Sequence, residues 1–87
     1  MSEIIKEVSS RSLGHIVKTS DDTYYYVDSV NTPDCGLETM VFLYDEENDK
    51  VFSWSDEYVE HYWTVDQMIS GHEYICEHLE ELIGRRN

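Results

Sequence analysis

Proline is almost missing from this chain, at one residue in 87, and glycine is scarce at four. So few breakers exclude a collagen-like or Pro/Gly-rich low-complexity chain. Positive charge is short as well: six Lys and Arg stand against 19 Asp and Glu, for a formal net charge of −13. That balance lacks the basic footprint a nucleic-acid-binding domain needs, and it repels anionic membrane. No stretch approaches the roughly 20 apolar residues of a membrane helix. The opening MSEIIKEVSS has no apolar run resembling a signal peptide. The two cysteines, Cys35 and Cys76, are therefore expected to be free thiols in a reducing cytoplasm. Glycine-rich phosphate loops, serine-hydrolase elbows and C-x-x-C or H-x-x-x-H ligand pairs are missing too.

What is present suits one small folded domain. A hydrophobic share of 40% and an aromatic share of 13% are too rich for a disordered tail. A chain of this length holds one core between a sheet and a helix and leaves little room for a deep enclosed active site. The acids are concentrated. Residues 1–20 carry a net charge of +1, residues 21–83 carry −16 and residues 84–87 carry +2. The negative charge thus belongs to the folded middle and not to a detachable tail.

Turn chemistry divides the chain into short strands. The run 13–19 (LGHIVKT) ends at the polar cluster Ser20-Asp21-Asp22-Thr23, and 24–30 (YYYVDSV) follows, rich in strand-favouring residues. A loop over 31–36 holds the proline and a glycine, and 37–44 (LETMVFLY) reads as a central strand covered on both sides. An acidic turn leads to a short strand over 51–54, and the alternating run 57–63 adds another. Residues 3–8 fit either a short helix or an edge strand. The segment 65–83 is a helix: Thr64 and Gln67 have capping-box spacing. Met68, Ile69, His72, Ile75, Cys76, Leu79, Leu82 and Ile83 make one apolar stripe. Gly84 is placed to end the helix, Arg85 and Arg86 complement its dipole, and Gly71 implies a close approach to a strand. The expected fold is α+β, an antiparallel meander of four to five strands with one C-terminal amphipathic helix on one face.

Three kinds of chemistry are worth weighing. His72 and Cys76 are four apart and share a helix face, a geometry zinc uses, with Cys35 and His61 as further ligands. Both helix residues lie in the apolar stripe, however, which favours a buried Cys and a hydrogen-bonded His closing the core, with no metal or cofactor. Cys35 lies between Asp34 and Gly36, where neighbouring acid raises a thiol pKa and works against nucleophilic use. Carboxylate pairs are inevitable among so many acids and carry no information without a cleft. The expectation is a non-enzyme.

The tyrosines are more informative. Tyr24, Tyr25 and Tyr26 are consecutive, so in a strand they point to both faces. One helix covers one face, so some of Tyr24, Tyr26, Tyr44, Tyr58 and Tyr62 should be exposed beside carboxylates. Exposed tyrosines among acids suit a protein-binding surface.

The strand Glu38-Thr39-Met40-Val41-Phe42, the acidic turn after it, a strand ending at Trp54 and the Gly71-His72 pair together resemble small uncharacterised phage and prophage proteins of Gram-positive bacteria. The likeness spans roughly residues 24–83. It implies an accessory protein acting in the cytoplasm of a bacterial host. Together with the charge, this leads to an acidic domain that occupies a basic, nucleic-acid-binding surface of a host protein. It would act as a DNA mimic, for instance an inhibitor of anti-CRISPR type. The expected contact residues are Asp45, Glu46, Glu47, Asp49, Asp56, Glu57 and Glu60, with Tyr26 and Tyr58. The helix acids Glu73, Glu77, Glu80 and Glu81 offer a second face. The rival expectation is a regulatory or accessory protein, homodimeric in one form, that uses an exposed tyrosine-rich sheet face.

Overall fold

Among the described residues six antiparallel strands precede one helix, and the turns after β2 and β4 follow from local chemistry. A computed structural model describes residues 2–8, 13–34, 36–52 and 56–84. The strands are β1 (Glu3–Val8), β2 (Leu13–Lys18), β3 (Tyr24–Thr32), β4 (Gly36–Asp45), β5 (Lys50–Val51) and β6 (Tyr58–Tyr62). The helix α1 spans Val65–Gly84. Residues 3–8 therefore form an edge strand. The cysteine at 35, the tryptophan at 54 and the arginines at 85 and 86 lie outside the described residues.

The sheet order is β1-β2-β3-β4-β5, and β6 pairs with β4 beyond the short β5. The β2–β3 hairpin closes through Thr19 N–H to Thr23 C=O at 2.9 Å and Asp22 N–H to Thr19 C=O at 3.1 Å. Asp22 takes φ 64° there, a conformation Asp tolerates better than most residues. In the β4–β5 turn Asp49 has φ 53°, and Asp45 accepts from Asn48 Nδ2 at 2.6 Å.

Register sorts the side chains between two faces. Val27 pairs with His15 and Val41, and Val41 with Tyr58, so these residues share a face with Val17, Tyr25, Ser29 and Thr39. The helix covers that face. Val17, Val27 and Val41 pack against Ile75, Cys76 and Leu79, all at most 1% exposed. The helix start is the capping box the sequence predicts. Gln67 N–H donates to Thr64 Oγ1 at 3.1 Å, and Gln67 Oε1 accepts from Thr64 N–H at 3.3 Å and Trp63 N–H at 3.0 Å. One residue of the expected stripe departs: Ile69 is 42% exposed, because it sits at the stripe's margin.

The other face is not bare. Ile16, Phe42 and Tyr44 are buried there without a helix. Five flat strands would hold β1 about 19 Å from β5, yet Lys6 Nζ on β1 reaches Asp49 Oδ1 beyond β4 at 3.1 Å. The sheet is thus rolled, and its two margins meet across a cleft of about 430 Å³ floored by Ile16, Tyr26 and Tyr44. Tyr24, Tyr26, Tyr44, Tyr58 and Tyr62 are all buried or half-buried: the roll covers Tyr26 and Tyr44, whereas Tyr58 packs on the helix-side core and Tyr62 against Gly71. The exposed tyrosine is Tyr74 on the helix, stacked on His78 at 4.3 Å between centroids.

A hydroxyl from the first strand's approach finishes the helix. His78 has φ −117° and ψ 22°, a break in the helical path. There Ser2 Oγ donates to Cys76 C=O at 2.7 Å and accepts from Leu79 N–H at 3.2 Å. A side chain inserted into the backbone ladder is a known cause of a kink.

Gly71 is the closest approach of helix to sheet. A β-carbon there would lie 2.7 Å from Tyr62 Cζ and nearer still to the ring edge and hydroxyl. Gly71→Ala should therefore destabilise by about 1–2 kcal/mol in chemical denaturation. Displacing the Tyr62 ring from Thr39 outweighs the roughly 1 kcal/mol that alanine gains in helix propensity. A stabilised variant would show that the ring moves freely.

Candidate functional site

The most organised polar chemistry lies between helix and sheet. His72, the residue after Gly71, enters the core at 1% exposure, so both its ring nitrogens need partners. Nδ1 meets Ser29 Oγ at 2.6 Å and Nε2 meets His15 Nδ1 at 2.8 Å. Ser29 Oγ is also 2.5 Å from Thr39 Oγ1, which accepts from Tyr62 Oη at 3.0 Å. At the other end, Glu7 Oε2 stands 3.9 Å from His15 Nε2. A continuous polar chain thus runs from Glu7 on β1 through β2, α1, β3 and β4 to Tyr62 on β6.

Burial sets the charge state of this chain. The His72 imidazole is pushed down to about 4, first by burial and then by His15 beside it. The Cys76 thiol is pushed up to about 12 by burial, with Glu77 and Glu73 adding to the effect. Neither is a nucleophile poised for attack: Ser29 is fully buried and Cys76 is 1% exposed. One ligand atom from each of His15, His72 and Cys76 lies within 4.8 Å of the others. The expected pair His72 and Cys76 thus comes together, but its third neighbour is His15. His61 lies elsewhere, its Nδ1 3.5 Å from Glu38 Oε2, and Cys35 is outside the described residues. His15 escapes a reading by spacing because it is 57 residues from His72. Its alternation on β2 beside Val17 was the available signal.

The expected contact acids fall into different circumstances. Asp49 is bound to Lys6 and to the Tyr44 hydroxyl, and Asn48 hydrogen bonds hold the Asp45 carboxyl below its usual range. Glu46 and Glu47 are exposed in the same turn. Asp56 is exposed, Glu57 is half-buried, and exposed Glu60 on β6 accepts from Tyr58 Oη at 3.1 Å. Tyr26 and Tyr58 lie on opposite faces of the sheet, Tyr26 flooring the cleft and Tyr58 packing on the core. On the helix Asp66, Glu73 and Glu77 are exposed and fall within one narrow arc about 16 Å long, since steps of seven and four residues nearly complete whole turns. Glu81, also exposed, extends this ridge past the break at His78. Glu80 lies beside it, half-buried, and accepts from Ser20 N–H. Sequence reasoning missed Trp63, 92% exposed on the turn that caps the helix. It occupies the outward phase of the alternation that turns Tyr58, Glu60 and Tyr62 the other way.

No protein-family model, curated protein or solved structure matches this chain. No helix among the described residues is long and apolar enough to cross a membrane.

The depressed His72 value gives a signed pH effect. A free histidine titrates near 6.5, so below that pH the unfolded chain takes up a proton that the folded chain refuses. The stabilisation is complete above about pH 6.5 and drains away toward pH 4, by on the order of 3 kcal/mol. In chelator, a His72→Gln variant should be less stable than the parent near neutrality and lose less on acidification, so that the two denaturation curves converge. Parallel curves would contradict a neutral buried imidazole.

Proposed function

We propose that the chain is a non-enzymatic, acidic protein-binding domain that seats its helix ridge on a basic surface of a partner protein. The observation that carries this reading is the ridge itself. Asp66, Glu73, Glu77 and Glu81 are exposed along one helix, and Trp63 is 92% exposed on the turn just before it. Carboxylates fixed on a folded scaffold present charge without the ordering cost of a flexible tail. A solvent-exposed tryptophan on a rigid turn is the residue type that most often anchors an interface. The turn acids Glu46 and Glu47, with Asp56 before β6 and Glu60 on it, broaden the negative field and steer a basic partner toward it.

A nucleic-acid-binding cleft is the basic surface that dense, regular negative charge fits best. The DNA-mimic form of the proposal, in a bacterial host protein and of anti-CRISPR type, follows from this and from the resemblance to phage proteins. The rival, a regulatory homodimer built on the tyrosine face, has less support, because Tyr26 floors the rolled cleft and Tyr44 is buried.

Capture from a bacterial host lysate separates these readings. A partner retained by the parent chain should elute steeply as salt rises, since screening shortens to about 3 Å at 1 M. It should be lost when Glu73, Glu77 and Glu81 are all changed to Lys, and Trp63→Ala should cost about 2 kcal/mol of binding. Retention that ignores both salt and ridge reversal would refute the proposal.

A further inference from the structure

The cluster at the heart of the helix–sheet contact has the makings of a metal centre. We propose that His15, His72 and Cys76 bind a divalent cation of the zinc class through two imidazole nitrogens and one thiolate. This goes beyond the protein-binding reading and does not depend on it.

Three features carry the assignment. The first is convergence, with the three donor atoms mutually within 4.8 Å and the facing nitrogens at 2.8 Å. A tetrahedral zinc with bonds of about 2.0–2.1 Å to nitrogen and 2.3 Å to sulfur needs donors roughly 3.3–3.7 Å apart. Binding therefore asks the two rings to part by about 0.5 Å and the thiolate to close by up to about 1 Å. The second is outer support. Metal-binding histidines hold their remaining nitrogen to a carboxylate, hydroxyl or carbonyl that fixes ring and tautomer. His72 turns Nδ1 to Ser29 at 2.6 Å, and His15 turns Nε2 toward the Glu7 carboxylate at 3.9 Å. Both free nitrogens therefore look at the same point, which Cys76 also borders. The third is placement: Ser2 holds the Cys76 carbonyl at 2.7 Å, while Gly71 seats the preceding turn on Tyr62.

The proton balance is simple. In the metal-free protein one proton lies between the two imidazoles, and Cys76 is a thiol. On binding, the cation takes the place of the shared proton, which moves to His15 Nε2 opposite Glu7. Cys76 releases its own proton to solvent, so one proton leaves per ion bound. A nitrogen and sulfur donor set selects zinc-like cations over calcium or magnesium, which prefer oxygen. Three protein donors leave one tetrahedral position for water, and His15, the least buried of the three, marks the side from which ions arrive.

Cobalt(II) titration of the reduced, metal-stripped chain tests this directly. One equivalent should produce a thiolate-to-cobalt charge-transfer band with intense tetrahedral visible bands, and one equivalent of zinc should abolish both. Cys76→Ser should remove the charge-transfer band, His15→Gln should weaken cobalt binding at least about tenfold, and Cys35→Ser should change neither. If Cys76→Ser does not fold, His15→Gln decides, with folding checked by circular dichroism. A folded, reduced parent that gives no charge-transfer band overturns the proposal. So does a band that survives in Cys76→Ser or disappears in Cys35→Ser, and so does unweakened binding in folded His15→Gln. Weak binding with only pale octahedral colour would assign the metal to surface carboxylates and overturn it equally.

Discussion

A fully buried imidazole governs how this domain goes together. The helix stripe that packs on the sheet is apolar except at His72, and burying such a ring without partners would cost several kcal/mol. Its two nitrogens must therefore find Ser29 on β3 and His15 on β2, which fixes the helix in translation and rotation at once. Apolar packing alone is non-directional. The hydrogen bonds supply the direction, and Gly71 supplies the closeness that lets them form. Everything else on that face accommodates this anchor: Thr39 and Tyr62 extend the chain of hydrogen bonds, and the valines fill the space beside it.

The result is a molecule with two unlike chemistries kept apart by one helix. Its outer side carries carboxylates facing water. Its inner side carries nitrogen and sulfur donors in a dry layer, where charge is suppressed. The separation is a consequence of helical periodicity, since Glu73 and Glu77 follow His72 and Cys76 by a single residue each. A shift of one residue in the docking register would bring carboxylates into the core. The hydrogen bonds of His72 therefore also protect the exposed ridge from being misplaced.

Much of this architecture is legible in the residue order. Alternation and turn chemistry place β2, β3, β4 and β6 within a residue or two, and the Thr64–Gln67 spacing marks the helix start to the residue. These features are local. What eludes such reading is long-range. The approach of His15 to His72 depends on which strands become neighbours. The burial of Tyr26 and Tyr44 depends on the roll of the sheet, whose margins meet where Lys6 reaches Asp49. Residues 3–8 are ambiguous because an edge strand with few buried side chains has weak periodicity. The exposed Trp63 is hard to foresee because large aromatic residues are more often covered, and only the strand's phase points it outward.

The small contact made by Ser2 has a bearing on how the protein is born. Its hydroxyl completes the helix at a point 77 residues further along the chain. During synthesis the early strands leave the ribosome well before the segment that holds Leu79. The hairpins can form while the chain is still growing, but the helix that covers them, and the bond that settles its last turns, must wait until residues 65–84 have emerged. For that interval the valine face of the sheet stands uncovered. The nascent domain is most vulnerable to aggregation during that interval.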